Sequence, residues 1–235
     1  MITKAIIIKK QNTNEFDQWV VCYTEEFGKL KTIAKSILKP NSIQAHHLDM
    51  FNLVEFELVN GRGLPIITSA QVINSFLNLK NQFIKIAVAS FFAEVIDKMV
   101  FENDQDKNLW SFLVFIMEEL NKKETYPLKL MRQGQLKLLE ILGYFPETDF
   151  CKVCDDKLGE LNFSAFNFVL GGIICKKCFL VGQEGVLINK NDFNLIKRGD
   201  INFQEKKYTK SILDGMFEYI YGARFTSLDL LNMIK

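Results

Sequence analysis

Four of the five cysteines in this 235-residue chain are grouped in two pairs, Cys151/Cys154 and Cys175/Cys178. Each pair is a C-x2-C step, and 20 residues separate the pairs. Two thiolates three residues apart reach one ion from a tight turn, and two such turns complete a tetrahedron. The spacing predicts a zinc site, one Zn2+ per chain. Four thiolates leave no open position for substrate, so the site is structural rather than catalytic. Lys152, Lys176 and Lys177 flank the ligands and offset their negative charge. Between the pairs, NFSAFNFVLGGIIC alternates and carries Gly171-Gly172, which predicts a hairpin that returns the second pair to the first. The fifth cysteine, Cys22, lies in the apolar run WVVCY and reads as a buried core thiol.

A second candidate for chemistry is GKLKTIAKSILKP, where Lys29, Lys31, Lys35 and Lys39 occur with no acid between them. On an extended strand Lys29, Lys31 and Lys35 share a face, because side chains alternate. Ionised lysines on one barrel face would form a track for phosphates, which Lys9, Lys10 and Arg62 could extend. The same pattern also fits a merely solvated strand face, and Glu25 and Glu26 lie close by. His46 and His47 are adjacent, point to opposite sides of an extended chain, and are not a chelating pair. With two histidines in one place and no phosphate-loop, HExxH or nucleophile-elbow motif, the residues favour a binding protein over an enzyme.

The elements that must position these residues change character along the chain. AIIIKK, the two β-rich runs of QWVVCYTEEFGKLKTIAK with Gly28 at the turn between them, the alternating stretch Phe51 to Val59, and IITSAQVI read as five strands. Five strands in about 75 residues with almost no helix between them predict a small barrel. After about residue 78 the period becomes helical over Phe83 to Val100, Leu109 to Leu120 and Leu128 to Leu142, expected to pack as a three-helix bundle. Gly143 and Pro146 end the last of these. Further helices follow the cysteine segment, including Tyr208 to Tyr221, closed by Gly222. The expected organisation is α+β and multidomain, with a barrel over 1–78 and a helical domain over 79–235 that contains a zinc finger at about 148–182.

Composition narrows the function classes. The chain is 48% hydrophobic and 24% charged, with a net charge of +1, so no global basic field attracts nucleic acid and any such contact must be local. No secretory signal is expected in MITKAIIIKK, and the most apolar stretch, Ile84 to Phe101, carries Lys85, Glu94, Asp97 and Lys98. The expectation is a soluble, cytoplasmic protein that does not engage a membrane.

The stretches YTEEFGKLKTIAKSILKP, VNGRGLPIITSAQVINSF, LLEILGYFPETDFCKVC, GGIICKKC and YIYGARFTSLDLL, in this order and spacing, resemble the bacterial recombination mediator family RecO over nearly the whole length. The resemblance implies an N-terminal OB-fold followed by a helical domain joined to the zinc finger. It also implies binding of single- and double-stranded DNA, annealing of complementary strands, and, with RecR, help for RecA in displacing single-strand-binding protein. Lys29, Lys31 and Lys35 stand where the family carries basic residues in this strand. SILKPNS departs from the family, whose members carry several arginines and lysines there; only Lys39 is clearly basic. Arg132, in the third helix, could meet the carboxylate of the acidic, hydrophobic tail of single-strand-binding protein. The competing reading is a zinc-containing protein-interaction module whose barrel binds another protein.

Overall fold

The computed structural model describes residues 1–61, 63–159, 162–199 and 208–233. Five strands, β1 (Ile2–Asn12), β2 (Gln18–Thr24), β3 (Gly28–Ala34), β4 (Leu53–Val59) and β5 (Ile66–Asn74), close into a barrel in the order β1-β2-β3-β5-β4. Closure comes from a short parallel pairing, Ile33 to Ile66 and Ala34 to Ile67, which leaves the barrel no open edge. The alternation along β4 is the expected one: Val54, Phe56 and Leu58 point inward to join Ile7, Val20 and Cys22. Phe51 itself lies outside the strand with φ +64, its N–H donating to Ile7 O at 2.9 Å, so β4 starts two residues later than the pattern suggests.

Strand β1 is buried on both faces from Ala5 to Ile8. The reason is the helical layer in the same unit: α1 (Leu77–Lys80), α2 (Phe83–Met99) and α3 (Lys107–Asn121). Helix α2 is apolar nearly all round, with Ala87, Phe91, Phe92, Val95 and Ile96 fully buried, as a helix packed on several sides must be. Helix α3 starts at Asp106, whose carboxylate accepts from Asn108 N at 2.7 Å and Leu109 N at 3.3 Å. None of the helices among the described residues is long and apolar enough to cross a membrane.

The compact units do not divide at residue 78. One unit comprises Met1–Pro127 together with Phe225–Met233; the other is formed by Leu128–Arg224. The expected bundle of three consecutive helices is therefore corrected. Helix α4 (Pro127–Ile141) belongs to the second unit, whereas the late helix α8 (Thr226–Asn232) packs on α2 in the first. Glu94 of α2 fixes that docking, accepting from Thr226 N at 3.0 Å and Ser227 N at 2.8 Å.

The second unit holds α4, the hairpin β6 (Phe163–Asn167) and β7 (Gly172–Cys175), α5 (Lys176–Leu180), the short strand β8 (Val186–Leu187), α6 (Lys190–Arg198) and α7 (Ile212–Tyr221). Gly143 and Gly222 take left-handed φ of +78 where α4 and α7 end, as their positions predict. Helix α7 begins at Ile212 rather than Tyr208. Asp214 accepts from Ser211 N at 2.8 Å and so sets the N-terminus there.

Candidate metal centre and nucleic-acid interface

The sulfurs of Cys151, Cys154, Cys175 and Cys178 all lie within 4.8 Å of one another. Bonds of about 2.3 Å from a central zinc place tetrahedral sulfurs about 3.8 Å apart. Cys154 Sγ and Cys175 Sγ are 3.7 Å apart, so the donor set fits a four-thiolate zinc. The local fold builds the set from two turns. In the first, Cys151 N donates to Asp156 O at 2.9 Å and Asp155 N to Cys151 O at 3.0 Å. In the second, β7 ends on Cys175 and α5 carries Cys178 one turn on. Gly172 allows the two to approach: a Cβ there would lie 2.6 Å from Lys152 Cγ and 2.9 Å from Glu147 O.

Without a cation the electrostatics favour thiolate at Cys151 and oppose it at Cys154 and Cys178. Burial opposes ionisation of Cys151, but N–H groups of Cys175, Cys154 and Val153 outweigh it and bring the thiol to about 6. Burial and then the neighbouring thiols push Cys178 up to about 12, so a cation is what would let all four ionise together. Lys152, Lys176 and Lys177 are exposed around the site, and Lys177 Nζ lies 3.8 Å from Asp156. Cys22 is fully buried in the barrel, and burial pushes its thiol far up.

The lysine stretch divides in two. Lys29 and Lys31 do share a face of β3, but the face is covered at Lys29 and half-exposed at Lys31. Lys29 is 8% exposed and donates to Asp97 O of α2 at 2.8 Å, so it holds the strand to the helix instead of lining a track. Lys31 lies over the Trp19 ring, 3.8 Å from its centroid, at a cavity of about 190 Å³ shared with Lys9, Gln11, Asp97 and Glu102. Lys35 lies past the end of β3 and does not share its face; it and Lys39 are exposed on the following loop. Lys9 pairs with Asp97 at 2.6 Å and Lys10 lies 4.0 Å from Asp49, so neither extends the stretch as a free charge. Arg62 lies outside the described residues.

The barrel aromatic residues nearest the lysine stretch in the sequence are Tyr23 and Phe27. Tyr23 is fully buried, its hydroxyl accepting from Asp106 N at 3.0 Å, and Phe27 packs against the barrel core. The aromatic side chains beside the lysines are instead Trp19 and Phe16, the latter with Lys39 Nζ 5.3 Å from its ring centre. The signal for Phe16 was present in NTNEFD, where Asn and Asp flank an apolar residue in a turn. His47 is a structural residue, its Nδ1 accepting from Val72 N at 3.1 Å.

Arg132 is not a surface residue. It is 1% exposed and lies at the centre of a buried network in the second unit. Its guanidinium donates to Asp214 Oδ1 at 2.7 Å, Gln135 Oε1 at 2.8 Å and Thr209 O at 2.7 Å. Asp214 also accepts from Gln135 Nε2 at 2.7 Å and Tyr208 OH at 2.8 Å. The expected meeting of Arg132 with a partner's carboxylate is thereby corrected: an internal carboxylate has taken that place.

Two family models cover the chain, "Recombination protein O N terminal" over residues 1–76 and "Recombination protein O C terminal" over residues 80–228. The chain belongs to the recombination protein O family. Curated relatives named DNA repair protein RecO match it nearly end to end. The protein of Thermoanaerobacter sp. strain X514 is 28% identical over 244 aligned positions, covering 99% of this chain and 97% of its own. That of Listeria monocytogenes serotype 4b strain CLIP80459 is 29% identical over 251, covering 99% and 96%. In this chain NGRGLP connects β4 to β5, and LGYFPETDFCKVC leads from the end of α4 into the first cysteine turn. The RecO-like YGARF places Gly222 at the end of α7 and the fully buried Phe225 ahead of α8. The stretches that carry the family resemblance thus combine element interiors, such as β3 and β5, with the turns and caps that join them.

Proposed function

We propose that this DNA repair protein is a recombination mediator that binds single- and double-stranded DNA and anneals complementary strands without nucleotide hydrolysis. With RecR it helps load RecA on single strands coated by single-strand-binding protein, whose C-terminal tail it contacts. The observation that carries the reading is a pair of exposed lysines, Lys35 and Lys39, at the rim of a closed five-stranded barrel in a chain of this family. Lys31 is the third proposed contact, and Arg62 joins them on the resemblance of its turn alone. Annealing needs two polyanions side by side, and each ammonium on a phosphate releases condensed counterions and lowers the repulsion. Zn2+ is the proposed occupant of the four-cysteine centre, with a structural role only, and the cytoplasmic nucleoid is the proposed location.

The test is fluorescence anisotropy with labelled oligonucleotides, paired with annealing of complementary strands in the absence of ATP. Reversing Lys31, Lys35 and Lys39 to Glu should flatten the slope of log affinity against log salt by about 2 to 3 units on duplex DNA. The loss should be alike across sequences, since phosphate contacts do not read bases. Reversing the exposed Lys107, Lys122 and Lys123 serves as the charge-matched control. A folded triple variant with unchanged affinity and slope would refute the assignment. Absence of binding at low salt by the wild type would favour the protein-interaction reading.

A further inference from the structure

The connection between β1 and β2 holds a half-exposed phenylalanine more firmly than packing alone requires. Phe16 is 47% exposed. Asn14 Oδ1 accepts from both Phe16 N and Asp17 N at 2.8 Å, and Asn14 Nδ2 reaches Asp17 Oδ2 at 3.1 Å. Thr13 donates to Asp17 O through both its N–H and its hydroxyl at 3.0 Å. The basic loop after β3 is tied to the same turn: Leu38 N donates to Phe16 O at 3.0 Å and Ser36 N to Asp17 Oδ1 at 2.7 Å. The Ser36 N–H, then Asn14, then Lys35 and Lys39 hold the Asp17 carboxyl below its usual range. Asp17 is thus a local counter-ion to both exposed lysines of this loop, and Lys39 Nζ lies 5.3 Å from the Phe16 ring centre.

An exposed ring on a backbone fixed in this way presents a flat apolar face with one ammonium group, Lys39, beside it and a second, Lys35, exposed on the same loop. That combination matches a nucleic-acid strand with unpaired bases: a base stacks on the ring while its flanking phosphates meet the lysines. A duplex hides its base faces in its own stack and would use the lysines alone. Trp19, the other aromatic residue of this surface, is less exposed, and Lys31 lies closer over its indole, at 3.8 Å, than Lys39 does over Phe16, at 5.3 Å.

We propose that Phe16 is a base-stacking platform that gives this barrel a preference for unpaired strands, with Lys35 and Lys39 holding the adjacent phosphates. The proposal rests on the DNA-binding reading above and assigns its specificity. With the full chain and an oligo(dT) 20-mer, Phe16→Ala should weaken binding about 5- to 150-fold, the range of one lost base stack. Binding to a blunt duplex should change less than about twofold, and the salt slope should not change, because no charge is lost. Phe16→Leu, which keeps the apolar bulk, should behave like Phe16→Ala, whereas Phe16→Trp should bind as wild type. Oligo(dT) should also quench the added indole emission beyond any quenching of Trp19 and Trp110 in the wild type. Phe115→Ala, at a ring of similar exposure on α3, should have no effect. Equal losses on both DNAs, no loss on either, or binding by Phe16→Trp without added quenching would overturn the proposal while leaving DNA binding intact. A wild type that binds neither DNA would remove the DNA-binding reading itself.

Discussion

Replacing Arg132 by Met tests whether the buried network in the second unit is structural. The substitution keeps much of the aliphatic stem and removes the guanidinium from Asp214, which has no exposed surface. Breaking a buried pair by removing one partner costs about 3–5 kcal/mol, because the remaining charge stays buried. Asp214 retains three neutral donors, Gln135 Nε2 at 2.7 Å, Tyr208 OH at 2.8 Å and Ser211 N at 2.8 Å. These solvate part of the charge and place the cost near the lower end, about 3 kcal/mol. With a urea dependence of about 2 kcal/mol per molar, the midpoint for this unit should fall by about 1.5 M. Adding Asp214→Asn to Arg132→Met removes the stranded charge, so the double variant should lose less than the two singles combined, with a coupling of about 2 kcal/mol. Urea titration of the full chain followed by circular dichroism reads all four corners of the cycle. Strict additivity, or a loss below about 1 kcal/mol for Arg132→Met, would refute the reasoning and reopen Arg132 as a contact for a partner.

Other expectations follow from single positions. Gly28→Ala should destabilise the first unit by more than about 1 kcal/mol in the same titration, because Gly28 has φ +67 and a Cβ would overlap the Asp104 carbonyl and come within 2.8 Å of Gln105 N. A neutral result would mean that the β2–β3 turn can move away from that loop. Cys175→Ser should lower bound zinc well below one per chain, measured by elemental analysis, while the barrel keeps its urea midpoint; wild-type protein prepared without chelators and lacking zinc would count against the site. Burial opposes ionisation of Glu94, but Lys98, Ser227 and Thr226 outweigh it and depress its pKa from 4.5 to about 2. Its contribution is then complete above about pH 4.5 and lost as pH falls toward 2, so wild-type stability should fall faster through that window than that of Glu94→Gln. Parallel pH profiles would contradict this.

What could be read without coordinates was local. The strand alternation, the glycine caps at Gly143 and Gly222, and the paired cysteines each depend on residues a few positions apart, and the fold keeps them. What could not be read depends on coverage. Alternation puts Lys29 and Lys31 on one face, yet only the docking of α2, whose Asp97 is 68 residues from Lys29, buries one of them. A lone arginine on a helix reads as exposed because such charges usually are. The partner that makes burial tolerable for Arg132 lies 82 residues away at Asp214. The switch of α4 to the second unit and the return of α8 to the first leave no periodic trace. NTNEFD marks the turn that carries Phe16, but a single aromatic residue has no periodicity that would show whether its ring is exposed.

The division of the chain also sets an order of assembly. The polypeptide leaves the first unit at Pro127 and re-enters it at Phe225, after the whole of the second unit has been made. Phe225, Leu228 and Leu231 are almost wholly buried, and Phe225 packs against Phe91 with ring centres 5.8 Å apart. During synthesis the barrel and its first helices must therefore wait with part of α2 uncovered, while the cysteine-bearing segment can already fold. Until the late helix arrives, that apolar strip lacks its native cover. A fragment cut at the barrel's end, or at Pro127, keeps the strip open permanently and should be collected by proteolysis or aggregation.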